Sequence, residues 1–223
     1  MPARVVPLIT GQYYHIFNRG VNKQPIFLGL RDHQRVTGTV NYYLYNPQVR
    51  FSKFLLLPKE LRSELWDSLI KENDKYAQVI SFCFMLNHFH ILLKQTKENG
   101  ISKFMANFQN SYVRYFNTKH NRIGPIFQGQ FKALRIEDDN QLIHLSRYIH
   151  LNPFTSFVIK EIKDLVKYQW SSYPDYLGKR EVIRCDKKIV LDNFKSIEEY
   201  EKFVVDQADY QRELEKIKHL TIE

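Results

Sequence analysis

The stretch Ala77–Gln95, AQVISFCFMLNHFHILLKQ, decides how this chain folds. Its apolar and β-branched content is that of a strand, but its 19 residues far exceed an ordinary strand of about 5–6. The polar break at Asn87 resolves the excess, and the sequence predicts two strands joined there by a tight turn. On the second strand His88 and His90 stand at i and i+2, so both imidazoles share a face while Phe89 points the other way, into a core. Two imidazoles so placed can meet one metal ion, or can be two hydrogen-bonded histidines on a polar sheet surface. The spacing permits both.

Upstream, Tyr13–Arg19 (YYHIFNR) has strand composition and ends at Gly20, and Val21–Leu28 is expected to return as the other half of a hairpin. Asp32 is expected to cap a helix running to about Tyr45, with Val36, Val40 and Leu44 on one face and Asn46-Pro47 as its stop. A second helix is expected from Pro58 to about Tyr76, with Leu61, Leu65 and Leu69 as its apolar stripe. Downstream, Ile101 to about Thr118 reads as a helix and Ile126–Arg135 as a strand. IEDDN (Ile136–Asn140) offers N-caps for a helix from about Gln141 to Leu151, closed by Asn152-Pro153. Loop signals follow around Ser171–Gly178, and then a helical run from about Ile197 to Leu220. This interleaving favours an α+β fold, with helices packed on a mostly antiparallel sheet and a C-terminal helical extension. Residues 1–153 read as the main domain and 154–223 as an extension of loops and a helix packed on it.

A chain of 223 residues is long enough to fold around its own core without disulfide or zinc staples. Cys83 and Cys185 are too few for a disulfide framework, and cysteine scarcity together with the absence of a leader pattern in Met1–Gln12 points to the cytoplasm. No apolar run approaches the ~18 residues of a membrane span. Charge is unevenly divided: Met1–Pro153 carries 20 basic and 10 acidic residues, and Phe154–Glu223 carries 13 and 14. A basic excess confined to one region suits a polyanion, because each Lys or Arg on a phosphate releases condensed counterions.

A second constellation is His144, Tyr148, Asn152, each four residues after the last and therefore on one helix face. A phenol with a reference pKa of about 10 is a poor nucleophile at neutral pH unless a cation or base promotes its ionisation. The same tyrosine read as core, with Asn152 as a helix terminator ahead of Pro153, fits the pattern too. No HExxH and no paired CxxC occurs, which excludes the common zinc-protease and zinc-finger layouts.

Four blocks in order, YYHIFNRG (Tyr13–Gly20), CFMLNHFHILL (Cys83–Leu93), GPIFQGQFK (Gly124–Lys132) and YIHLNP (Tyr148–Pro153), resemble the single-tyrosine HUH transposases, closest to the REP-associated tyrosine transposase branch. The likeness extends more loosely through WSSY (Trp170–Tyr173), and Leu86 stands where the histidine turn of that family often has proline. The resemblance implies a ferredoxin-like sheet carrying His88 and His90 as metal ligands, with a helix bringing Tyr148 over them as nucleophile and Asn152 completing the site. It implies Mg²⁺ or Mn²⁺ as cofactor, although two imidazoles and an amide oxygen also accept Co²⁺ or Zn²⁺. It further implies cleavage and rejoining of single-stranded DNA near hairpins through a covalent 5′-phosphotyrosine, with both a monomer and a homodimer compatible.

Tyr112 and Tyr115 are rival nucleophiles, but neither has an Asn or Gln four positions later. His15, His120 and His150 read as surface or structural histidines. For DNA contacts the sequence offers Arg19, Lys103, Arg114, Lys119, Arg122, Lys132 and Arg135 toward phosphates, and Asn18, Gln128 and Gln130 toward base edges. Two other readings share these features: a non-catalytic module that binds structured single strands, and a related replication or mobilisation nuclease.

Overall fold

The computed structural model describes residues 7–220, with side chains placed through Leu214; residues 1–6, which begin the stretch read above for a leader, lie outside it. Four strands, β1 (Tyr13–Arg19), β2 (Ala77–Phe84), β3 (His88–Gln95) and β4 (Lys132–Arg135), form one antiparallel sheet in the order β2-β3-β1-β4. Helices α1 (Leu30–Tyr43), α2 (Phe51–Phe54) and α3 (Lys59–Glu72) lie between β1 and β2, and α4 (Gly100–Lys119) lies between β3 and β4. This split βαβ arrangement is the expected ferredoxin-like α+β sheet. After β4 come α5 (Asp139–Thr155), α6 (Tyr173–Tyr176), α7 (Lys188–Leu191), α8 (Ile197–Val205) and α9 (Ala208–Leu220).

Strand alternation divides the interior in two. Ile16, Phe89, Ile91 and Leu93 face α1 and α4, whose Val36, Val40, Phe104 and Phe108 complete one core. Ile80, Cys83 and Leu92 face the other way, onto Leu142, Ile149 and Leu151 of α5 and onto Tyr173, Tyr176, Tyr200 and Val204 of the extension. The extension also covers the β2 edge through bridges Val79–Cys185 and Cys83–Ser171. Both cysteines are buried and free. Among the described residues no helix is long and apolar enough to cross a membrane.

Several expectations need correction. Val21–Leu28 is not a strand: Asn22 and Lys23 take positive φ in a 3-10 turn, and β1 pairs with β3 and β4 instead. The segment is tied to the histidine turn, with Gly20 N donating to Asn87 O at 2.7 Å and Ile26 N and Phe27 N to Leu86 O. Gly20 permits this tight fold, because a Cβ there would meet Gln24 O at 2.2 Å. Asp32 does not cap α1 from outside; it is buried in the first turn and accepts from Leu28 N, Tyr115 Oη and Lys119 Nζ. The strand expected over Ile126–Arg135 is only Lys132–Arg135, since Gly129 takes a positive φ just before it. Asp138 is the cap that IEDDN supplies, accepting from Gln141 N. Pro153 does not stop α5: its missing N–H costs one bond in the last turn, while buried Leu151 and Phe154 hold the helix on the second core. The expected helix over 58–76 ends at Glu72, where left-handed Asn73 caps it. The long C-terminal helical run is two helices, α8 and α9.

Candidate active site

The β2–β3 turn fixes one wall of the site. His88 opens β3 opposite Arg19 of β1, and His90 lies opposite Phe17. Opposed residues share a face, so Arg19, Phe17 and, two further along β1, His15 stand beside the histidine pair, while Phe89 is fully buried in the first core. His88 Nδ1 is 2.7 Å from the Asn87 amide oxygen. His90 is 8% exposed, and its Nδ1 lies 2.8 Å from Nε2 of His15, itself 8% exposed.

Helix α5 supplies the other wall. The Tyr148 ring stands edge-on to His90 (5.5 Å between centroids, 82°) and to His15 (6.2 Å, 78°). One turn later Asn152, 4% exposed, places its Oδ1 3.2 Å from His88 Nε2. The helix is held in this pose from behind by His150, whose Nδ1 and Nε2 are each 2.7 Å from Tyr200 Oη of α8 and Ser172 Oγ. Ser172 Oγ in turn accepts from Phe82 N of β2. His144 is turned away from the histidine pair, bonded to Arg147 at 2.8 Å and packed on Phe203.

Burial sets the protonation of these histidines. Loss of hydration lowers His15 to a pKa of about 4. It pushes His90 well below the ordinary value, with additional repulsion from His88 and His15. Both rings are therefore neutral at pH 7 and carry a lone pair. Among the described residues no group of three or more His, Cys, Asp or Glu could hold a metal ion; the donor set here is two imidazoles and an amide oxygen. Two ligands of one ion at about 2.1 Å in octahedral geometry stand about 3.0 Å apart, close to the 3.2 Å between His88 Nε2 and Asn152 Oδ1. A neutral His90 ring and this spacing fit a divalent cation.

The rival tyrosines are elsewhere. Tyr112 is fully buried and donates to Ile26 O, and Tyr115 donates to Asp32; both are on α4, across the sheet from α5. The basic residues divide in the same way. Arg19 Nε donates to Gln128 Oε1 at 2.7 Å, and Lys132 Nζ lies 5.9 Å from the Phe17 ring, both on the histidine face. Arg135, three residues on, pairs with Tyr14 on the opposite face and is engaged by Glu137. Lys103, Arg114 and Lys119 belong to α4 and Arg122 follows it, so these too lie away from the histidines. Arg114 and Lys119 line a cavity of about 750 Å³ together with Arg35, Arg50, Asn107 and Tyr115. Asn18 is occupied by its own loop, accepting from Arg19 N and donating to Gly129 O, whereas Gln128 and Gln130 are exposed. His15, read from sequence as surface or structural, is buried against His90; its phase with Phe17 and Arg19 was visible, its partner 75 residues away was not.

A ferredoxin-like sheet with a histidine pair on one face, crossed by a helix that brings one tyrosine and one amide to it, is the arrangement implied by the resemblance to the single-tyrosine HUH transposases. Residues 51–152, a span that contains His88, His90, Tyr148 and Asn152, match the family described as Transposase IS200 like. A solved structure of a REP-associated tyrosine transposase bound to a REP hairpin is similar to it with a TM-score of 0.54, over 83% of this chain and 91% of that one, at 13% sequence identity. At that identity the likeness is one of fold. No curated protein sequence matches the chain.

Proposed function

We propose that this protein is a metal-dependent DNA strand transferase, a transposase that cleaves and rejoins single-stranded DNA beside hairpins through a covalent bond to Tyr148. The observation that carries the reading is the convergence on one spot of the Tyr148 ring, the neutral His90 and the His88–Asn152 pair 3.2 Å apart. The match of residues 51–152 to the IS200-like transposase family supports it. His88, His90 and Asn152 would hold a divalent ion, Mg²⁺ or Mn²⁺, which when bound would supply Lewis-acid polarisation of the scissile phosphate. The Tyr148 oxygen attacks phosphorus in line, the new O–P bond forms as the P–O3′ bond breaks, and the 3′-oxygen leaves with a proton as a hydroxyl. The 5′-phosphotyrosyl bond stores the energy for rejoining to another 3′-hydroxyl, so no nucleotide cofactor is required.

Arg19, Gln128 and Lys132 share the histidine face and are proposed to hold the phosphates flanking the scissile bond. Lys103, Arg114, Lys119 and Arg122 serve only DNA that passes to the far side of the sheet, and Arg135 contributes least because Glu137 already engages it. The chemistry belongs to residues 1–153, with 154–223 supporting α5. The test is a denaturing gel of the protein with Mn²⁺ and labelled single-stranded hairpins carrying unpaired flanks, with Tyr148→Phe alongside. A metal-dependent adduct that survives denaturation and is missing from the variant is the expected result. Tight, salt-sensitive binding without cleavage would replace this reading with a binding module, and a cut independent of Tyr148 would replace it with a hydrolytic nuclease.

A further inference from the structure

His90 sits in an aromatic slot. His15 meets it edge to edge, with ring centroids 5.0 Å apart and planes 25° from parallel, Phe17 stacks on it at 5.8 Å and 30°, and the Tyr148 ring closes the slot edge-on at 5.5 Å. Such walls fix the plane of an imidazole but not which way round it lies: a half-turn about Cβ–Cγ exchanges nitrogen for carbon at both ring edges and leaves the apolar contacts almost unchanged. Nor do they choose which nitrogen carries the proton. A polar partner at a defined ring atom fixes the first, and one that accepts there fixes the second as well. That partner is His15, whose Nε2 lies 2.8 Å from His90 Nδ1.

We infer that His15 is a positioning residue that holds His90 as the Nδ1–H tautomer, so that His90 presents the Nε2 lone pair to the proposed metal. Two neutral imidazoles joined by one N···N hydrogen bond share a single proton, and only two arrangements exist. If His15 donates, the second nitrogen of His90 carries the proton and has no lone pair to offer. If His90 donates from Nδ1, its Nε2 is a ligand. The orientation of His90 is therefore set by a residue on β1, 75 positions away in sequence, and not by its own turn. Register makes this available: His15 pairs with Leu92 and Phe17 with His90, so His15 is the diagonal neighbour of His90 on the same face. The choice of Nδ1–H at His90 rests on the function proposed above, because the 2.8 Å contact fits either ring as donor; the nitrogen spectrum reads that choice without metal.

The experiment is a pair of measurements on the full chain, for the wild type, His15→Phe and His15→Gln. Long-range ¹H–¹⁵N spectra of ¹⁵N-histidine-labelled protein report which nitrogen of His90 is protonated, and calorimetric titration with Mn²⁺ reports affinity. The wild type is expected to show Nδ1–H at His90. His15→Phe keeps an aromatic ring at that place but cannot accept; it is expected to lose that preference and to bind Mn²⁺ roughly 10–100-fold more weakly. His15→Gln offers an accepting oxygen and is expected to restore both signals to near wild type. A residue present only for packing would move neither. An Nε2–H signal at His90 in the wild type overturns the inference, as does a His15→Phe protein with unchanged tautomer and Mn²⁺ affinity. The nitrogen spectrum needs no metal, so wild-type protein that takes up no Mn²⁺ overturns the metal reading of the proposed function while His15 is still decided by the spectrum.

Discussion

Acidification should loosen the helix that carries Tyr148, and His150 is where the effect can be read. His150 is fully buried between α5, α8 and the β2 edge, and burial holds its pKa at about 3 against an ordinary 6.5. The folded pKa is depressed, so between those values the unfolded chain binds the extra proton; the stabilisation is complete above pH 6.5 and is lost as pH falls. Going from pH 7 to pH 5, this one group costs about 2 kcal/mol by linkage. Because pH 5 lies well above the folded value, that figure depends almost entirely on the unfolded pKa. His150→Gln removes the titration while keeping groups that can bond Tyr200 or Ser172. Urea unfolding at pH 7 and pH 5 is the assay, and contributions from other histidines cancel when the two proteins are compared. The wild type should lose about 2 kcal/mol more than the variant between the two pH values, or about 1 M in midpoint at a slope of about 2 kcal/mol/M. At pH 7 the variant should be weaker by roughly 1–3 kcal/mol from imperfect bonding of a buried polar pair. Identical pH dependence in both proteins would refute the claim that His150 is buried and neutral.

Asn152→Ala should weaken Mn²⁺ binding about 10–100-fold, while Asn152→Asp, which keeps an oxygen at that point, should bind at least as tightly as wild type; calorimetry on folded protein separates them. Arg19→Gln and Lys132→Gln should each reduce the slope of log affinity against log salt for hairpin DNA by about 1, with Arg135→Gln changing it less because Glu137 already engages that side chain; anisotropy titrations at several salt concentrations give the slopes. Gly100→Ala should cost roughly 1–3 kcal/mol in thermal unfolding, since a Cβ at the start of α4 would lie 2.0 Å from Tyr76 O.

The parts of this molecule that could be read from sequence are those fixed by local periodicity. Asn87 splits an overlong apolar run, and i, i+2 spacing places His88 and His90 on one face with Phe89 behind them. Spacing of four residues likewise put Tyr148 and Asn152 on the same side of α5. The failures share one cause, which is that backbone register and tertiary contact are invisible locally. Arg135 and Lys132 both look like phosphate ligands until the β1–β4 register sends one to each face. Val21–Leu28 has the apolar content of a strand, but its backbone bonds go to Leu86 and not to a ladder. Pro153 reads as a stop because the packing of Leu151 and Phe154 that carries α5 through it lies in elements far along the chain.

The site is built on the seam between two cores, and this gives the C-terminal segment a role that its near-neutral charge conceals. The histidines belong to a strand whose position is fixed from the far side by Phe89, Ile91 and Leu93 on α4. Tyr148 and Asn152 belong to a helix fixed by the other core, through Leu142, Ile149 and the His150 bonds to Tyr200 and Ser172. In the proposed function, in-line attack would depend on the distance between these two sets, and a displacement of about 1 Å can cost on the order of 100-fold in rate. Residues after Pro153 bond the back of α5 to β2 through Tyr200 and Ser172 and so help to set that distance. Substitutions at Tyr200 or Ser172 should therefore lower the rate of adduct formation while leaving Mn²⁺ affinity nearly unchanged for a shift of Tyr148 alone, whereas a shift large enough to carry Asn152 off His88 should lower both together.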